Sequence, residues 1–229
     1  MYIVCLLLIS ALTAFAADDK KEVTQRIQSA ASVLHDVMAT PDKGIPEDLF
    51  EKAQCVVIVP GLKKGAFIVG AEFGKGFATC HKGSGWSAPA AIRVEGGSVG
   101  FQIGGEETDV VMLVMNQSGA NRLLNETKVT LGGDATVAAG PVGRTAAAAT
   151  DAGMNAEILS YSRSRGVFAG IALKGATLRP DMENNAVLYG KRLNTKEVID
   201  TQKPPAEAAP LLAELRRSAA QSADRPVTK

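Results

Sequence analysis

The sequence predicts an α+β domain, built as a mainly antiparallel β-sheet or barrel-like core with an N-terminal amphipathic helix and short peripheral helices. Three observations predict it. Val23, Ile27, Ala30, Ala31, Leu34 and Met38 recur at helical spacing. From Gln54 onward the pattern changes to short β-rich runs punctuated by Gly and Pro. Gly accounts for 23 of 229 residues while aromatics are 5%, which suits closely packed strands and turns better than stacking platforms. With 46% hydrophobic and 21% charged residues the chain is neither too polar to fold nor apolar enough for a polytopic membrane protein. A chain of this size buries a core without a metal or disulfide framework.

Residues 1–16 carry no charged side chain and end in Ala14-Phe15-Ala16, the small-x-small pattern of a signal peptide. An uncleaved anchor is the competing reading, but the apolar stretch falls short of the ~20 residues a spanning helix needs. Export to the periplasm or beyond is therefore expected. Cys55 and Cys80 are then the cysteines of the mature chain, and an oxidising compartment favours a disulfide between them over two buried thiols. Two thiols and the neighbouring His81 fall short of a metal site.

The first helix ends at Thr40-Pro41, and a second is expected over 46–53, where the missing N–H of Pro46 costs nothing. Strands are expected over 55–59, 66–69, 99–103 and 110–115, the last a continuous apolar run that reads as central and buried on both faces. A helix over 117–125 follows, then strands over 135–142, 156–162 and 167–173, and a short helix over 181–188. Lys203-Pro204-Pro205 reads as a linker. Beyond it a surface helix over 207–220 and a disordered end over 222–229 are expected. The expected organisation is a signal peptide (1–16), one domain (17–202) and a Pro/Ala-rich tail (203–229).

Lys and Arg total 25 against 24 Asp and Glu, which argues against a nucleic-acid binder relying on bulk positive charge. Residues 1–53 hold 5 basic and 8 acidic side chains, a poor match for a basic membrane-surface helix, so packing on the core is the favoured role of the first helix. Enzyme motifs fail on chemistry. Gly96-Gly97-Ser98-Val99-Gly100 fits the nucleophile-elbow pattern, yet His35 and His81 both precede Ser98, whereas that arrangement places its His later in the chain. Gly70 to Gly76 lacks the spacing of a phosphate loop and the Ser or Thr that would hold Mg²⁺. Glu106, Glu107 and Asp109 read as a solvated acidic turn. No catalytic residues, metal or cofactor are expected.

Two stretches carry a more specific likeness. The segment from Tyr161-Ser162-Arg163-Ser164-Arg165-Gly166-Val167-Phe168 through Gly170-Ile171-Ala172-Leu173-Lys174-Gly175-Ala176 resembles the signature of the SYLF domain family. Gly140-Pro141-Val142-Gly143-Arg144 resembles a second motif of that family, and the likeness extends from about Ala30 through Ile199. This family is the lipid-binding module of yeast SH3-bearing actin-associated proteins and their relatives. The resemblance implies non-enzymatic binding of anionic phospholipid or phosphoinositide-like head groups. With its leader the chain looks like an exported bacterial member, for which actin is not the expected ligand.

Beside that likeness, turn-borne cations in a Gly-rich β region are candidates for phosphate contact. They are Lys63, Lys64, Lys75, Lys82, Arg93, Arg163 and Arg165. Residues 54–116 balance 5 basic with 5 acidic side chains, so convergence must come from the fold. Arg163 and Arg165 would share one strand face and serve equally well as partners of carboxylates, and Arg144 equally well as a turn-fixing residue. The expected partner is an anionic lipid or membrane surface. The alternative is a structural or protein-interaction module of the bacterial envelope.

Overall fold

The computed structural model describes residues 2–40, 44–66, 69–99, 104–143, 156–164, 167–171 and 173–223. In chain order its elements are α1 (Tyr2–Met38), α2 (Glu47–Lys52), β1 (Cys55–Ala66), β2 (Val69–Lys82), β3 (Gly85–Trp86), β4 (Ala90–Val99) and β5 (Gly104–Val114). Then come α3 (Gln117–Asn125), β6 (Val129–Thr130), β7 (Val137–Ala139), β8 (Ile158–Ser164), β9 (Val167–Gly170) and β10 (Thr177–Pro180). The chain continues through α4 (Met182–Tyr189), α5 (Thr195–Thr201), a 3-10 turn (Ala206–Ala208) and α6 (Ala209–Ala223). Among the described residues, ten strands form one curled sheet in the order β6-β10-β4-β2-β1-β5-β8-β7, with β3 added to β2 and β9 to β8. The long ladders are antiparallel, and β7 joins β8 in parallel.

Alternation along the central strands divides the core into two layers. On the first face Val56, Ile58, Phe77, Val111, Leu113 and Tyr161 meet Ile27 and Leu34 of α1, Phe50 of α2 and Leu211 and Leu215 of α6. On the second face Val57, Val59, Ile92, Val94, Val110 and Met112 meet Leu123 of α3 and Val198 and Ile199 of α5. The run 110–115 is central, as expected, with both of its faces buried.

Several elements depart from the sequence reading. β1 does not stop at Val59: Pro60 and Gly61 sit where its register shifts against both neighbours, a bulge that tolerates a proline inside a central strand. β2 occupies the Gly-rich stretch beyond residue 69, where the sequence reading expected no strand. Its glycines permit close approach, because a Cβ on Gly76 would lie 2.0 Å from the Ile58 carbonyl oxygen and one on Gly74 would lie 2.7 Å from Val59 Cγ1. Glu106, Glu107 and Asp109, expected on a solvated turn, belong to β5. β3, β4, β6, β10 and α5 were not foreseen as elements. The helix expected on the surface after residue 205 instead buries Leu211, Leu212 and Leu215 against α1 and α2.

α1 spans the Ala16–Ala17 junction as continuous helix. Among the described residues no helix is long and apolar enough to cross a membrane. Cys55 and Cys80 are register partners on β1 and β2 and are joined by a disulfide.

Candidate functional site

The sheet brings four of the expected cations to its first face: Lys63, Lys75 and Arg93 stand close together, and Arg163 stands opposite Asp109 beside α1. Phe73, Lys75 and Phe77 point the same way from β2, and Phe77 lies in the first core layer, so Lys75 and Phe73 emerge beyond the helical cover on that side. Lys63 of β1 is opposite Phe73 of β2 and Glu107 of β5, while Glu95 of β4 closes that row from the other side of Phe73. One step along, Lys75 is opposite Arg93 of β4, and Arg93 is opposite Arg179 of β10.

This face therefore carries an exposed aromatic beside a cationic row. Phe73 is 48% exposed. The Lys63 ammonium has no carboxylate partner among the described residues. Lys75 Nζ lies 3.4 Å from Oδ2 of Asp181, whose side chain is only 2% exposed. Asp181 is fixed as the N-cap of α4, its Oδ1 accepting from the Asn184 N–H at 3.1 Å. α4 is pinned to β4 by Asn185, whose Oδ1 accepts from the Ala91 N–H at 2.7 Å while its amide donates to the Leu193 carbonyl at 2.8 Å. Glu95 serves both arginines, with Oε1 2.8 Å from Arg93 Nε and Oε2 3.4 Å from Arg179 Nε.

The remaining candidates lie elsewhere. Lys64 falls on the opposite face, 4.0 Å from the buried carboxylate of Glu72. Lys82 donates to the carbonyls of Ile199 (3.2 Å) and Asp200 (2.6 Å) at the C-terminal end of α5, where a cation complements the helix dipole. Arg163 bonds Asp109 through Nε (2.9 Å), pairs with Asp36 of α1, and lies 5.5 Å from the centroid of the Phe168 ring. Burial works against its charge, but the hydrogen bonds to Asp36 and Asp109 outweigh that effect and raise its pKa. Arg165 and Arg144 lie outside the described residues. The sequence reading also placed Lys75 and Arg93 beside turns, whereas both sit within strands paired on each other.

Phe73 and Arg179 were missed. Phe73 is hidden between glycines, and Thr-Leu-Arg-Pro is too short to display alternation, so neither residue carried a signal that sequence alone amplifies. The two histidines are engaged elsewhere: His35 Nδ1 lies 3.3 Å from Glu214 Oε1 of α6, and His81 stacks on Trp86 with ring centroids 4.0 Å apart. Desolvation lowers the His81 pKa. Ser98 is the register partner of Gly70, whereas His81 lies at the far end of β2, up to about 35 Å away at ~3.3 Å per strand residue.

A family model described as Ysc84, Las17-binding protein actin regulator, matches residues 95–218, more than half of the chain. The chain belongs to the Ysc84 family. It is 34% identical over 174 residues to LAS seventeen-binding protein 3 of Saccharomyces cerevisiae, covering 74% of this chain and 38% of that protein. SH3 domain-containing YSC84-like protein 1 is 38% identical over 152 residues in Xenopus laevis (66% of this chain, 45% of that protein) and 35% over 167 residues in Homo sapiens (72% and 48%). The chain thus spans less than half the length of these Ysc84-family relatives. The match covers Arg93's neighbour Glu95, Arg163 and Arg179, and leaves α1 and β1 to β3 outside the family model.

Proposed function

We propose that this Ysc84-family chain is a binding module that docks on anionic membrane surfaces through the first face of its sheet, and that it acts by binding lipid head groups rather than by catalysis. The observation that carries this reading is the exposed Phe73 opposite Lys63, which has no carboxylate partner among the described residues, with Lys75, Arg93 and Arg179 in the adjoining row. In the two rows around Phe73, Lys63, Lys75, Arg93 and Arg179 face Glu95, Glu107 and Asp181, four cations against three carboxylates, an excess of one positive charge, while Arg163 on the same face is matched by Asp109 and Asp36. With basic residues near an anionic surface contributing on the order of 1 kcal/mol each, so small an excess binds weakly by charge alone. Phe73 supplies the rest: fully burying a Phe side chain contributes about 1.5–3 kcal/mol, and Phe73, 48% exposed, has about half of that left to gain.

Export is part of the same proposal. The uncharged apolar stretch of residues 1–16 and the Cys55–Cys80 disulfide both support an oxidising compartment outside the cytoplasm. The test is flotation of the protein with phosphatidylcholine vesicles, with and without phosphatidylglycerol. Co-flotation that grows with anionic content supports docking. No co-flotation with either vesicle rejects it and favours a protein partner, the second reading, which is supported by the family description as Las17-binding.

A further inference from the structure

We propose that Arg93 and Arg179 form a clamp for one phosphate group, with Lys75 as a third charge beside it. The proposal rests on the surface-docking reading and states which chemical group the face recognises. Like charges directly opposite on neighbouring strands destabilise a sheet, because their Cβ atoms stand only ~5 Å apart. This sheet places two such pairs in one row, Lys75 opposite Arg93 and Arg93 opposite Arg179. Stability alone does not account for that arrangement, and the carboxylates nearby do not balance it.

Asp181 is held behind Lys75 by its N-cap bond, which leaves Glu95 as the single carboxylate for both guanidinium groups among the described residues. Glu95 approaches each of them at Nε. Both Nε atoms are shielded from solvent, yet neither completes a hydrogen bond among the described residues despite the short distances. A guanidinium offers five donors in a planar fork that matches phosphate oxygens two at a time. The Arg93 and Arg179 side chains are 37% and 38% exposed, so a ligand reaches both. A phosphate group bridging them would separate the like charges and supply the acceptors that one carboxylate cannot, with Glu95 as the internal group it displaces. The phosphate could belong to a lipid head group or to a soluble ester.

The experiment compares inorganic phosphate and inositol hexakisphosphate, titrated by calorimetry, with vesicles of phosphatidylcholine containing phosphatidic acid. Arg93→Gln and Arg179→Gln should each weaken binding about tenfold or more. Arg179→Lys should recover little, since it keeps the charge and loses the fork. Glu95→Gln should bind several-fold more tightly, because the internal competitor is gone; a purely structural Glu95 would leave affinity unchanged. Should Glu95→Gln melt before titration, Glu95→Asp gives the same readout with the carboxylate drawn back. Arginine-dependent binding of the soluble anions identifies a soluble ester as sufficient, and arginine-dependent binding of vesicles alone identifies the lipid. Vesicle binding that is absent in the parent, or unchanged in Lys63→Glu, while arginine-dependent phosphate binding persists removes the docking reading and keeps the clamp. Equal binding of every probe by the parent and both glutamine variants, or weaker binding by Glu95→Gln, overturns the clamp even where vesicles still bind.

Discussion

Lys63 on β1 stands directly opposite Phe73 on β2, on the side of the sheet where the helical cover ends. A cation without a carboxylate partner among the described residues and a half-exposed aromatic ring are thereby held on neighbouring strands of one ladder. Neither strand is long enough by itself to create this surface. The bulge at Pro60-Gly61 resets the register so that Lys63, rather than a neighbour, meets Phe73. Gly61 sits in the left-handed region at φ 62°, and its N–H donates to Asp109 Oδ1 at 3.0 Å. The bulge is thus tied to the same carboxylate that holds Arg163.

Arg163 should behave as a structural residue. It joins β8 to β5 through Asp109 and to α1 through Asp36, so Arg163→Ala leaves two carboxylates without their cation. Hydrogen bonds to charged groups contribute about 1.5–3 kcal/mol each when well formed, and partial exposure here places the cost near the lower end of that range. A fall in melting temperature of several degrees is expected. Vesicle binding measured on the folded fraction should stay at the parent level.

Lys64→Ala separates the two faces of β1. Glu72 is only 8% exposed and has Lys64 as its ion-pair partner, so losing that partner destabilises the fold by about 1 kcal/mol after allowance for the exposure of Lys64. Thermal melts should record the loss, while flotation with anionic vesicles should be unchanged. Reduced flotation at unchanged stability would place Lys64 in the contact surface instead.

How much of this was legible beforehand differs from one element to the next. α3 was readable to the residue because its apolar positions have helical spacing and Asn116 caps it, accepting from the Gly119 N–H at 2.9 Å. The central run of β5 was readable because it is continuously apolar. β2 was not, because glycine has low strand propensity, and its glycines are required only by the close approach to Ile58 and Val59, a tertiary fact. Lys75 and Arg93 were singled out from charge alone. Their convergence with Arg179 was invisible because strand order β10-β4-β2 unites segments about a hundred residues apart. The partnering of Arg163 with carboxylates was among the readings available from its strand face.

The disulfide predicts a redox effect on stability. Cys55 and Cys80 enclose a sequence separation of 25 residues, for which the chain-entropy model gives about 3 kcal/mol. Cys55→Ala should lower the melting temperature without abolishing the fold. Intact-mass analysis of protein prepared without reductant should record a gain of about two hydrogens on reduction, and two alkylatable thiols in the native protein would contradict the oxidised state.

Acid should loosen the second layer through Glu157. Desolvation opposes its charge, but the Ser118 hydroxyl, the Thr136 N–H and Arg122 outweigh it, so its pKa lies below the ordinary glutamate value of 4.5. A depressed folded-state pKa stabilises the protein above the unfolded value, and the contribution disappears as pH falls through the folded one. Melting temperature should therefore decline below about pH 4.5, and Glu157→Gln, already lacking that contribution at neutral pH, should have a shallower acid limb.

Docking by the Lys63–Phe73 surface is tested most directly by vesicle partitioning of Phe73→Ala, Lys63→Glu and the double variant against the parent, with thermal melts confirming that each is folded. The account predicts about tenfold weaker binding for Phe73→Ala, a further loss in the double variant, and only a shallow dependence of parent binding on salt, because the rows around Phe73 carry a single excess charge. Folded variants that partition onto anionic vesicles as well as the parent would contradict it.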